Sequence, residues 1–220
     1  MKSLTLFATL LGAVAASPLS VVSSRPLTDL EERSLEERTF RCPANGNLPG
    51  SNPNKPPFYI SPSLLLPISA KRPNQKFPAT LTPKITPNDF CTIFNLEIPA
   101  QGFLKTCTLE FLFPRLLTQT LNPYTYIGGG HFTFTGYAYG SGAVEGQTTY
   151  ANPPPAGPNP PTPPAVLAPG NAYTINVGSC GPGIGGSSVT VSGALCSTDT
   201  SFEYLQSTAT CPLGFFVVIS

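Results

Sequence analysis

From Thr92 to the C-terminus, large apolar and polar side chains alternate with period two, a pattern that fits half-buried β-strands and little else. Cys107, Leu109, Phe111 and Phe113 point one way while Thr106, Thr108 and Glu110 point the other. Thr92, Phe94, Leu96 and Ile98 repeat the pattern one strand earlier. Phe132 and Phe134 alternate with His131, Thr133 and Thr135, and Tyr173, Ile175 and Val177 with Thr174 and Asn176. Val189 to Val191, Phe202 to Leu205 and Phe215 to Ile219 complete the set. Turn-forming runs such as PNDF, PAQG, NPYT, APGN and STDTS separate these segments at strand-length intervals, with no room for crossover helices. The expected fold is an all-β, antiparallel β-sandwich of jelly-roll or Ig-like type.

Proline sharpens that expectation. Between Pro43 and Pro87 it recurs every few residues, which excludes helix and permits only turns and short edge strands. LLLPIS, Leu64 to Ser69, is the strand expected there. Ala151 to Pro164 (ANPPPAGPNPPTPP) reads as a stiff polyproline-II loop projecting between two strands.

The N-terminus, MKSLTLFATLLGAVAASP, has the charge, the short apolar run and the small residues of a secretory signal, with cleavage expected after Ala15 or Ala16. Residues 17–41 read as a pro-segment or flexible linker. Residues 42–220 form one sandwich domain, with a proline-rich N-terminal part over 42–90 and the proline loop over 151–164. The apolar run is too short to span a bilayer and Phe215 to Ser220 too short for a lipid-anchor signal, so no membrane anchor is expected.

An oxidising route makes disulfides the default for Cys42, Cys91, Cys107, Cys180, Cys196 and Cys211. Three bridges leave about 15 connectivities, and spacing does not choose among them. The pairing expected here joins Cys196 to Cys211, which flank one short segment, then Cys107 to Cys180, and by elimination Cys42 to Cys91. No closely spaced cysteine pair suits a metal, so neither a metal nor a cofactor is expected.

Charge narrows the partners. Net charge is +1, and five of the eleven acidic residues crowd into Asp29 to Glu37. Without a cluster of Lys and Arg, nucleic acid is not an expected partner. One histidine, His131, ends most catalytic readings; no GxSxG elbow accompanies it, and its place is the solvent face beside Phe132 and Phe134. GPGIGG at Gly181 to Gly186 matches a dinucleotide fingerprint in letters only, since a strand follows where a helix is needed. Beyond Arg38 the acids are Asp89, Glu97, Glu110, Glu145, Asp199 and Glu203. Two of them in one cleft would make a small glycan-active hydrolase, with Glu110 as the acid to watch. PYTYIGGGHFTFTGYAYGSG is the stretch that points to binding, because Tyr124, Tyr126, Tyr137 and Tyr139 can stack on a sugar or a protein partner; the strand propensity of tyrosine makes core and sheet packing the other reading of the same residues.

FNLEIP (Phe94 to Pro99), KTCTLEFLFP (Lys105 to Pro114), APGNAYTINVGSC (Ala168 to Cys180), FEYLQ (Phe202 to Gln206) and PLGFFVVIS (Pro212 to Ser220) occur in that order. From Leu64 to Ser220 the chain resembles the fungal domain named for the C-terminal region of the ubiquitin-three-binding protein But-two. The resemblance implies a fungal secreted or cell-surface β-sandwich and a Cys107–Cys180 bridge, and it carries over no catalytic residue. The intracellular partner in that name is not one that a secreted chain would meet. The expectation is a non-catalytic secreted protein, extracellular or of the cell wall, whose partner is a cell-wall glycan or an extracellular protein. The alternative is the hydrolase with paired carboxylates. Alkylation of the secreted protein without reductant should leave its mass unchanged; two alkylated thiols would remove the three-bridge expectation.

Overall fold

The computed structural model describes residues 47–115, 124–158, 161–181, 187–209 and 211–220. The expected signal, the expected tail, Cys42 and the glycine run after Gly181 lie outside the described residues. Eleven strands follow in chain order: β1 (Phe58–Ile60), β2 (Leu64–Ser69), β3 (Lys84–Ile85), β4 (Phe90–Ile98), β5 (Thr106–Phe113), β6 (Tyr124–Ile127), β7 (Phe132–Gly136), β8 (Asn171–Ser179), β9 (Val189–Ser197), β10 (Ser201–Tyr204) and β11 (Gly214–Ile219). One 3-10 turn, Ala100–Gly102, separates β4 from β5. The protein is an all-β, antiparallel, disulfide-braced fold, as the alternation implies.

Two four-stranded sheets face each other, one in the order β1-β11-β5-β8 and the other β2-β4-β9-β7. Every strand pair is antiparallel. Pro67 sits in β2, at the edge of its sheet, where a missing N–H is tolerated. A third sheet, β3-β10-β6, packs Phe202 and Tyr204 into the same core.

Inward residues of both large sheets make that core, and aromatic rings dominate it. Phe94 of one sheet stacks on Phe215 of the other, 4.2 Å between centroids and 15° between planes. Phe202, 1% exposed, has Phe111, Phe113, Tyr124, Tyr126, Phe132 and Tyr204 within ring-contact range. Such pairs prefer offset or edge-to-face contact and add to the area they bury.

A second, smaller cluster lies on the outer face of the β2-β4-β9-β7 sheet, where Leu66, Ile68, Ile93 and Ala194 meet Ala143 from the loop after β7. Asn95 fastens that loop. Its Nδ2 donates to the Ala143 carbonyl and its Oδ1 accepts from the Ala143 N–H, each at 2.9 Å. A buried amide so paired costs little, and it fixes the loop over the sheet.

Two disulfides are defined. Cys107 pairs with Cys180, as expected. Cys91 pairs with Cys196, which corrects the expected Cys196–Cys211 and Cys42–Cys91 pairs. The register of β4 on β9 explains the correction: Thr92 opposes Leu195, so Cys91 opposes Cys196 one step on, with a Cα–Cα distance of 4.5 Å. Directly opposed residues at that spacing are the closest that antiparallel strands offer. Cys211 is disulfide-bonded too, and no described cysteine is free.

The proline loop also departs from expectation. It lies along the edge of β7 instead of projecting: Ala138 N–H donates to the Pro155 carbonyl and Gly157 N–H to the Gly136 carbonyl, both at 2.8 Å. Tyr137 and Ala156 form the bridge between those bonds. An extended backbone short of N–H groups covers a sheet edge without offering a new one.

Truncating the ring at the centre of the aromatic core tests this packing. Phe202→Ala should destabilise the domain by about 3–5 kcal/mol in chemical denaturation, and a loss below about 1 kcal/mol would show that Phe202 is not the core residue described.

Candidate functional site

Strands β7 and β8 are the edge strands on the same side of the two sheets, and between them the sandwich stays open. The cavity there has a volume of about 260 Å³. Phe94, Leu96 and Ile98 of β4, Val191 of β9 and Phe134 of β7 form one wall. Leu109 of β5, Val217 of β11 and the Cys107–Cys180 bridge form the other.

Small residues leave the space unfilled. Gly136 and Gly178 stand at the edges, and a Cβ added at Gly178 would meet nothing within 4 Å. A register shift of β5 on β8 at Leu109 and Glu110 brings Asn176 opposite Leu109, so an amide occupies the rim where an apolar side chain would have closed it. Pro158 and Pro161 border the opening from the proline loop.

Tyr139 spans the mouth. It follows β7, and its hydroxyl reaches the Cys180 carbonyl at 3.4 Å, a long bond from one sheet's side to the other's. Gly181 permits that approach, because its φ of +97° suits glycine and any Cβ there would collide with the Tyr139 ring. At 44% exposure Tyr139 still offers a partner much of its ring.

The four tyrosines read together from the sequence divide three ways. Tyr139 is at the mouth. Tyr137 borders the cavity and packs against the outer cluster, and burial pushes its phenol up to about 12. Tyr124 and Tyr126 lie on β6, edge-on to Phe113 and Phe202. Their hydroxyls donate to the Pro114 carbonyl at 3.3 Å and to the Leu167 carbonyl at 2.7 Å. They belong to the core. The four therefore do not form one flat platform.

The carboxylates are dispersed in structural work. Asp89 accepts from the Ser69 hydroxyl and the Lys71 N–H, Glu97 from Thr190, and Glu145 from the Ala79 N–H. Glu203 lies opposite Lys84 on one side and Thr125 on the other. Glu110, half-buried between Phe216 and Thr174 in register, has its carboxyl raised above its ordinary value by burial, and no second carboxylate contributes. Among the described residues no second acid of the kind a glycosidase uses acts on it there.

His131 finds a partner that the sequence reading did not anticipate. It stands exposed just before β7, and its Nδ1 lies 2.6 Å from Asp199 Oδ2. Close approach of the two loops requires Gly129, where a Cβ would meet both side chains. The Thr200 hydroxyl, then His131, then Ser197 hold the Asp199 carboxyl down at about 2 against the opposing effect of desolvation. Ser, His and Asp are thus all present, but not as a triad. The Ser197 hydroxyl donates to the His131 main-chain carbonyl at 2.6 Å and accepts from the Thr200 N–H at 2.9 Å. It braces the turn on the carboxylate's side of the ring, whereas a nucleophile has to sit on the other imidazole nitrogen. Sixty-eight residues separate His131 from Asp199, and no local pattern announces the pair.

No group of three metal-binding side chains occurs among the described residues. Nor does any described helix have the length and apolarity to cross a membrane.

Fold and opening define a disulfide-braced antiparallel sandwich with an apolar cavity at one edge. The chain belongs to the family described as ubiquitin 3 binding protein But2 C-terminal domain, whose model matches residues 61–210. The matched span contains β2 to β10 and leaves β1 and β11, which pair with each other, outside it. No curated protein and no solved structure matches the chain.

Two of the perturbed acids, Asp199 and Glu110, give opposite pH signatures. Asp199 has a depressed pKa when folded, so its stabilisation is present above the ordinary value of 3.8 and is lost as the pH falls towards about 2. Asp199→Asn should therefore lower Tm near pH 6 and not at pH 2. Glu110 has a raised one, so its charge opposes folding above the ordinary value of 4.5 and ceases to as the pH drops below it. Glu110→Gln should raise Tm at pH 7 and lose that advantage below pH ~4. The reverse order in either variant would contradict the assigned environments.

Proposed function

We propose that the protein is a non-catalytic binding domain of a fungal protein that works outside the cell, in the wall or released, and meets its partner at the β7/β8 opening. The partner is a cell-wall glycan or an extracellular protein. Residues 1–16 act as the secretion signal and 17–41 as a pro-segment or linker ahead of the sandwich. The observation that carries the reading is the opening itself: an apolar cleft, bordered by a proline segment and crossed by a half-exposed tyrosine.

Several features support it. Paired cysteines with no free thiol among the described residues suit an oxidising compartment. The family takes its name from a binding protein rather than from a reaction. Glu110, the acid on which a hydrolase would depend, is isolated on its strand, and His131 and Asp199 brace a turn. Tyrosine at a rim, with an apolar face and a polar tip, is suited to contact sugars or protein.

Incubating the mature protein with a panel of insoluble glycans, and assaying both pellet and released sugar, tests the reading. Retention without sugar release is expected. Tyr139→Ala should weaken retention by about 1 kcal/mol, on the scale of aromatic contacts, while Glu110→Gln retains it. Sugar release that vanishes in Glu110→Gln would replace this reading with the hydrolase.

A further inference from the structure

The cavity behind the rim has a chemistry of its own. Its walls are aliphatic and aromatic, and among the described residues none that lines it is Lys, Arg, His, Asp or Glu. An ion entering it would lose water and gain no counter-charge, a cost that a carboxylate or ammonium group avoids by staying outside. The polar groups lie at the edge: Asn176, exposed, makes no side-chain hydrogen bond among the described residues, and Ser179 already accepts from the Gly181 N–H. Ser192 touches the cavity too, but its hydroxyl is committed to the Phe94 carbonyl and to Asn95. A ligand suited to this arrangement has a bare apolar body and a single uncharged polar end. At about 30 Å³ for each water-sized group, the volume admits roughly nine non-hydrogen atoms.

We propose that the cavity between the sheets is a binding site for one small uncharged amphiphile, such as a medium-length alkyl chain ending in a hydroxyl. The apolar chain lies between Phe94, Leu109, Val191 and Val217, and its hydroxyl meets the Asn176 amide at the rim. The inference rests on the reading of the β7/β8 opening as a binding site, and not on which partner the rim takes. Burying the alkyl chain supplies the affinity, and the absence of charge in the walls sets the selectivity.

Gly178 provides the test, since a side chain grown there enters open space without backbone strain. Calorimetric titration of the full chain with 1-octanol should give a saturable one-to-one isotherm. Octanoate, with the same tail and a charged end, should bind at least tenfold more weakly at pH 7. Gly178→Leu should reduce octanol affinity at least tenfold with Tm unchanged or raised. If that variant melts lower, Val191→Phe fills the cavity from the other wall and serves the same comparison. Octanoate binding as well as octanol, octanol affinity unchanged by the filled cavity, or no saturable isotherm would each overturn the inference. Glycan retention by a protein that ignores octanol would overturn it while leaving the rim reading intact. Octanol binding by a protein that retains no glycan or protein partner would support it and count against the rim reading alone.

Discussion

Contact between Phe94 and Phe215 is where the two sheets lock, and the rest of the interior is arranged around it. On one side of that stack, Phe111, Phe113, Phe202 and Tyr204 continue the ring packing into the third sheet. On the other side the residues shrink to Gly136 and Gly178, and the sheets stay apart. Solid core and open cleft are thus two consequences of one size gradient along the sandwich. Packing at crystal-like density is the rule for protein interiors, so an apolar space kept unfilled between two sheets demands a structural reason. Here the reason is a brace: the Cys107–Cys180 bridge, the Tyr139 hydroxyl and the proline segment hold the margins of the opening in place.

How much of this was legible in the sequence depends on the range over which each cause acts. Alternation is local, and each segment read from it is a strand, although β9 runs on to Ser197 and β10 stops at Tyr204. β6 was missed because its four residues, YTYI, sit inside an aromatic run that reads as well for binding as for pairing. Register is not local. The Cys91–Cys196 bridge spans 105 residues and follows from β4 lying beside β9, a neighbour relation that short sequence separation misrepresents. The same holds for His131 and Asp199, which are joined only once β7 and the turn after β9 are in place.

The tyrosines make the point for the candidate site. Tyr126 and Tyr139 are chemically alike and close in sequence, yet one faces Phe202 and the other spans a cleft. What separates them is where the backbone places each, Tyr126 within β6 and Tyr139 in the turn after β7, and composition holds no record of that. The proline loop was legible as stiff and extended. Its position was not, because the anchor is a pair of long-range bonds, one donated by Ala138 to the Pro155 carbonyl and one by Gly157 to the Gly136 carbonyl.

Xenon under pressure, soaked into crystals of the oxidised protein, tests most directly whether the gradient from aromatic core to open cleft is real. A preformed, dry, apolar cavity takes up the gas. The account predicts a xenon site between Phe94, Leu109, Val191 and Val217 and none among the rings around Phe202. A cleft closed by repacked side chains, or one filled by ordered water in place of xenon, would contradict it.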